Sequence, residues 1–215
     1  SEWDRIPGTA MGLFPCQECH MPLTTRPAAD GCIDGPCPER QVHRHTFVGV
    51  DLDLTIPAED NPQYELVTEL LNNAVELKFN TPYNSLTSHV ISGDSLEIPV
   101  TVTSLTAHSI PSGVSFAREA WLEVAITDNN DDTLYQSGVV MDAESLDITD
   151  SDLLLFTSFL FDENSVPVES ITDISSMINN SLMAFGERYK IYKVEIPNDA
   201  TGEIKIRTRM RFRSF

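Results

Sequence analysis

Beyond about residue 76, apolar and polar positions alternate with a period of two. Leu96, Ile98, Val100 and Val102 are interleaved with Glu97, Pro99, Thr101 and Thr103. Leu122, Val124 and Ile126 alternate with Glu123, Ala125 and Thr127. Residues 153–161 form another apolar run, and 188–196 holds Tyr189, Ile191, Tyr192, Val194 and Ile196. The last stretch is the most regular: Ile204, Ile206, Met210 and Phe212 fall on one side, and Glu203, Lys205, Arg207, Arg209, Arg211 and Arg213 on the other. Successive side chains of a strand point to opposite faces, so this pattern predicts half-buried strands. The polar runs Asp128–Asp132 and Asn198–Gly202 supply turns between them. The expected architecture is a mainly β, antiparallel sandwich.

Earlier in the chain the period changes. Leu66, Leu70, Leu71, Ala74 and Val75 make a stripe at helical spacing, and Asp60 or Asn61 can cap it with Pro62 in the first turn. This predicts one helix over 60–75, packed on its neighbour. Residues 1–57 are rich in Pro, Gly, Cys and His and show no periodicity. They cannot build a core from aliphatic side chains alone. The expected organisation is an irregular segment 1–57, a connecting helix 58–80 and a β-sandwich domain 81–215.

Composition removes several partner classes. The chain has 215 residues and a net charge of −19, from 33 acidic and 14 basic side chains. That balance argues against nucleic acid and anionic membrane surfaces. No stretch is long and apolar enough to span a bilayer. No signal peptide is recognised before Ser1-Glu2-Trp3, which reads as the start of a mature or trimmed product. No glycine-rich phosphate loop or nucleophile elbow is present.

Chemistry concentrates in the aperiodic segment. Cys16-Gln17-Glu18-Cys19-His20 reads Cys-x-x-Cys-His, the attachment sequence of a c-type haem. Two thiols add across the two vinyl groups of one porphyrin edge, and His20 follows to give its imidazole to the iron. One covalent haem c is expected, and it would supply the apolar mass that residues 1–57 lack. The four cysteines also permit a rival, a zinc ribbon with four thiolate ligands, Cys16, Cys19, Cys32 and Cys37. The second pair is followed by Pro38 rather than His, so it is not a second haem site. Asp34-Gly35-Pro36 is turn-forming, and a disulfide between Cys32 and Cys37 is the preferred expectation. Thioethers and a disulfide place the chain in an oxidising compartment, periplasmic or extracellular.

Cys-Gln-Glu-Cys-His-Met-Pro precedes His43-Arg44-His45-Thr46-Phe47-Val48-Gly49. Then come Leu105-Thr106-Ala107-His108-Ser109-Ile110-Pro111-Ser112-Gly113 and Arg118-Glu119-Ala120-Trp121-Leu122-Glu123-Val124, and the chain ends Arg209-Met210-Arg211-Phe212-Arg213-Ser214-Phe215. This order resembles the C-terminal part of periplasmic or extracellular multihaem c-type cytochromes, in which the last haem segment leads into an immunoglobulin-like β-domain. Trp3 and the Gly12-to-Cys16 approach resemble the run before that haem. The blocks are scattered over most of the chain, but 128–200 carries little of them. One departure matters: such cytochromes carry several haem motifs and this chain has one, so it is a one-haem protein or the C-terminal portion of a longer one.

The second axial position is open between candidates. The resemblance implies that His45, in His45-Thr46-Phe47, is a distal ligand to this haem or a neighbouring one. His43 is the near alternative. His108 is the second candidate, through its His-x-x-Pro-x-Gly loop. Met21 adjoins the proximal ligand and is badly placed for the opposite face, and His89 reads as an ordinary satisfied side chain. Two histidines would give a low potential, and a methionine would raise it. The basic side of the last strand is expected to pair with acids on adjacent strands, with a docking patch or haem propionates as the sharper alternative. Asp128–Asp132 reads as a hairpin loop, because no twelve-residue calcium pattern follows it.

The expected function is electron transfer by one haem, with redox proteins or neighbouring haems as partners and self-assembly open. On this reading the chain is a carrier rather than an enzyme. Two alternatives stand beside it. One is a β-sandwich binding or assembly module stapled by zinc or disulfides. The other is an open-site haem enzyme or sensor.

Overall fold

A computed structural model describes residues 16–214 apart from 28, 30, 34, 80–89 and 142–144. The chain divides into two compact units, Ser1–Ala74 and Val75–Phe215.

In the first unit, α1 (Cys16–His20) leads into a two-stranded antiparallel hairpin, β1 (Leu23–Pro27) and β2 (Glu39–His43). Most of the hairpin's side chains are exposed, so no alternation marked it in the sequence. A 3-10 turn, Ala58–Asp60, precedes α2, Tyr64–Asn72. The helix is therefore shorter than the 60–75 its stripe suggested. Asn61 explains the late start: its side-chain oxygen accepts from the Gln63 amide and its carbonyl from the Tyr64 amide, which closes a turn around Pro62. Val67, absent from the expected stripe, is the buried residue of α2, while Leu66, Leu70 and Leu71 are half-buried.

The second unit is mainly antiparallel β with sandwich-like packing. One sheet runs β11 (Glu187–Glu195), β4 (Ser95–Ser104), β3 (Val75–Phe79). Another runs β12 (Lys205–Ser214), β5 (Arg118–Thr127), β6 (Thr133–Ser137), with β7 (Leu154–Phe156) also paired to β5. A third is small: β10 (Ser176–Asn179), β8 (Ser158–Phe161), β9 (Pro167–Val168). The core includes most of the set the alternation named, Ile98, Val100 and Val102 from β4 and Leu122, Val124 and Ile126 from β5, with Leu96 only half-buried, and it adds Phe156, Leu182, Tyr192 and Val194. The apolar run 153–161 splits into two short strands of different sheets, with Thr157 between them. The Thr157 hydroxyl is tied to the carbonyl oxygens of Ser115 and Arg118.

The other face of β5 is also covered. Trp121 packs with Leu146 and Leu155, and its indole N–H donates to the carbonyl of Gly138 at 2.8 Å. Gly138 has φ 63°, and an added Cβ would lie 2.7 Å from the Leu122 carbonyl oxygen. Glu123 is only 1% exposed on this face. Arg209 reaches it with Nε at 2.8 Å and Nη2 at 2.7 Å, and Arg211 approaches at 3.4 Å. Arg213 pairs with Glu119 at 2.6 Å and lies over the Trp121 ring, and Lys205 pairs with Asp131 at 2.7 Å. The basic stripe of β12 is thus largely neutralised by its own sheet and hairpin loop, as cross-strand pairing requires.

Candidate haem-anchoring site

One turn of helix carries the motif. Cys16 and Cys19 lie at either end of its Cys-x-x-Cys spacing, both exposed and both outside any disulfide. His20 ends the same helix and is half-buried.

Its ring is fixed by the chain that follows the hairpin. Nδ1 of His20 lies 2.9 Å from the carbonyl oxygen of Val48. A carbonyl only accepts, so this contact puts the proton on Nδ1 and makes Nε2 the basic nitrogen of the ring. A bond of this kind orients a histidine that ligates a metal and raises its basicity. Phe47 stacks on the same ring, with centroids 5.6 Å apart and planes inclined by 15°. To do so its backbone takes φ 43°, a conformation uncommon for a residue with a Cβ. Val48 is buried, which anchors the accepting carbonyl.

The remaining cysteines are spent on each other. Cys32 and Cys37 form a disulfide with Cα atoms 5.2 Å apart, within the ordinary range. Gly35, at φ 122°, turns the loop between them. This bond takes two of the four thiols that a four-thiolate zinc site would need. No group of three or more His, Cys, Asp or Glu among the described residues is placed to hold a metal ion.

The other histidines are dispersed. His43 ends β2, half-buried, with Nδ1 2.6 Å from the carbonyl oxygen of Met21. His45 is exposed in the turn at 45–46. His108 lies in the second unit, its Nδ1 3.1 Å from the Ser109 carbonyl oxygen. His89, Trp3 and the 12–15 approach fall outside the described residues. Val48 and Phe47 were not singled out as site residues. Neither a backbone carbonyl acceptor nor a ring stacked across a loop has a signature in sequence spacing.

The burial pattern gives an independent test of whether haem fits. Among the described residues of Ser1–Ala74, the buried apolar side chains are Val48 and Val67 alone. Large apolar side chains stay exposed there, with Phe47 at 64% and Ile33 at 101%, joined by Leu23 and Leu54. A unit this small needs a staple or a cofactor in place of an aliphatic core. Two thiols outside any disulfide in one turn, an imidazole held at Nδ1 and a deficit of buried apolar surface among the described residues all fit a covalent porphyrin.

No family model matches the chain, and no curated protein matches it. Among solved structures it is similar to a penta-haem cytochrome c552 from Thermochromatium tepidum, with a TM-score of 0.57 and 17% identity. The match covers 97% of this chain and 41% of that one. At this identity the likeness is one of fold, a link at fold level to a multihaem cytochrome. No helix among the described residues is long and apolar enough to cross a membrane.

Proposed function

We propose that this chain is a c-type cytochrome module that transfers electrons through one covalent haem. Cys16 and Cys19 are its thioether anchors and His20 its proximal iron ligand. The observation that carries this is the His20 Nδ1 to Val48 carbonyl bond at 2.9 Å, beside two thiols free of any disulfide. When bound, the haem supplies a reversible one-electron couple.

The protein's own residues orient and shield. Val48 holds the His20 tautomer, and Phe47 limits rotation of the ring. The Cys32–Cys37 disulfide keeps a second thiol pair from competing for the porphyrin vinyl groups. His45 is the proposed second axial ligand, with His108 behind it, and a pair of histidines would favour a low potential. The disulfide, the thioether chemistry and the penta-haem fold neighbour support a periplasmic or extracellular setting with redox proteins or neighbouring haems as partners. The extent of the match, 41% of that cytochrome, is compatible with the chain being a portion of a longer multihaem protein, the C-terminal one on the resemblance of its motif order.

Intact mass after expression in a host that attaches haem c tests this. The expected result is one haem per chain, resistant to acid-acetone extraction, with c-type bands in the reduced-minus-oxidised spectrum. A colourless chain with unmodified Cys16 and Cys19 would overturn it.

A further inference from the structure

Most edge strands of the second unit are guarded against pairing with another chain. β3, β11 and β12 carry charged side chains and β9 opens on Pro167, both of which blunt a sheet edge. β6 and β7 have neither but are covered: Tyr135 is half-buried, and Ser137, Leu155 and Phe156 are buried. β10 differs from all of these. It is an edge of its sheet, and Ser176, Met177, Ile178 and Asn179 are all exposed. None of the four is charged, and the uncharged stretch runs from Ile174 to Gly186 in a chain of net charge −19.

The bonds to β8 decide which backbone groups face out. Met177 pairs with Leu160, Ile178 with Phe159 and Asn179 with Ser158. The Asn180 amide donates to the Thr157 carbonyl at 2.8 Å, one step on in the same register. Bonded residues alternate along an antiparallel strand, so Ile178 and Asn180 turn their backbone groups toward β8. Met177 and Asn179 turn theirs to the open edge.

That edge is complementary to itself. Two copies of β10, antiparallel about a two-fold axis at Ile178, set Met177 of each opposite Asn179 of the other. Both pairs then exchange N–H to carbonyl bonds. Ile178, 59% exposed, meets its own counterpart, and its cross-strand neighbour Phe159 is also exposed. The pairing therefore joins two apolar strips. The lack of charge selects the partner: two copies of so acidic a chain repel across charged surfaces, and this edge adds no like charges at the contact.

We propose that β10 is a docking edge for a second copy of this chain, which pairs antiparallel with it and merges the two small sheets. The inference stands on the second unit and not on the haem reading. The contact is short and falls under the roughly 1,200 Å² of a stable interface, so the dimer is weak, about micromolar or weaker.

Sedimentation of the full chain over a concentration series tests this, with amide hydrogen exchange on the same samples. Wild type should pass from monomer to dimer as concentration rises, and salt should tighten the dimer by screening the two acidic chains. The Met177 and Asn179 amides should exchange more slowly in the dimer. Ile178→Lys sets two like charges opposite each other and removes an apolar contact, and should weaken the dimer about ten-fold. Met177→Pro removes one outward N–H from each copy at an edge position open to proline, and should weaken it comparably. Circular dichroism of the dilute variants should match wild type. A chain that stays monomeric at every concentration would overturn the proposal, whether its Met177 and Asn179 amides are open or already protected by the chain itself. So would a dimer unchanged in both variants. A dimer lost in Ile178→Lys but kept in Met177→Pro, with both amides unprotected, would show apolar contact without strand pairing and overturn it as well.

Discussion

His20 donates from Nδ1 to the carbonyl of Val48, 28 residues further on. The bond joins the end of a five-residue helix to a buried residue beyond the hairpin. Phe47 closes the arrangement by stacking on the ring. Replacing Phe47 by Ala removes that restraint while leaving both thiols and the imidazole. We expect haem to attach as before, with a broader spread of proximal-ring orientations. Electron paramagnetic resonance line widths of the ferric protein check this.

The disulfide uses neither Cys16 nor Cys19. Its loop is short, with a sequence separation of 5, so loop entropy limits its stabilisation to about 2 kcal/mol. The double variant Cys32→Ser, Cys37→Ser should lose no more than that from its first unit. Haem should remain on Cys16 and Cys19, as read by peptide mapping.

Glu123 is the costliest charge in the β unit. It is 1% exposed, with Arg209 and Arg211 both directed at it. Removing one partner of a buried pair leaves an uncompensated charge or donor, at about 3 kcal/mol or more. Half-exposed guanidiniums can turn to water, which places Glu123→Ala near that lower figure. Arg211→Ala should cost much less, because its contact is 3.4 Å and Arg209 remains. Denaturant unfolding of the two variants gives the comparison.

Two tyrosines make the β unit sensitive to alkali. Burial pushes the Tyr135 hydroxyl well above the ordinary 10.0, helped by its bond to Asp152. Burial does the same to Tyr192, with Asp152 and Asp150 adding to it. A raised folded value means the folded state holds its proton longer than the unfolded chain does. The resulting stability is complete below pH 10 and is lost as pH rises beyond it toward the folded values. The Tyr192 hydroxyl, buried and without a hydrogen-bond partner among the described residues, gains little from its oxygen. Tyr192→Phe should keep or raise neutral-pH stability and shift alkaline unfolding upward, followed by tyrosinate absorbance and circular dichroism.

Gly138 tests the covered outer face of β5. A methyl group there meets the Leu122 carbonyl oxygen at 2.7 Å and the Trp121 ring at 2.9 Å, at φ 63°. Gly138→Ala should cost about 2 kcal/mol or more and disturb Trp121 fluorescence, since the Gly138 carbonyl holds the indole.

The sequence by itself determined the strands of the sandwich core and the Cys-x-x-Cys-His motif on which the haem proposal rests. Period-two alternation is a local property, so the strands β4, β5, β11 and β12 were legible, and so were the inward faces of β4 and β5, whereas Ile206 on β12 and Tyr189 and Ile191 on β11 stay exposed. Cys16, Cys19 and His20 stand out in the sequence because the chemistry proposed for them needs fixed spacing within one turn of chain. Tertiary structure alone decided the rest. The hairpin Leu23–His43 is too exposed to alternate. Trp121 and Glu123 stand on the face that alternation assigned outward, yet Val140, Leu146, Leu153 and Leu155 cover the first and the arginines of β12 the second. Val48 acts through a carbonyl and Met21 likewise, and every residue has one. Which carbonyl meets which imidazole depends on chain paths that close over 28 and 22 residues, and no local pattern records that distance.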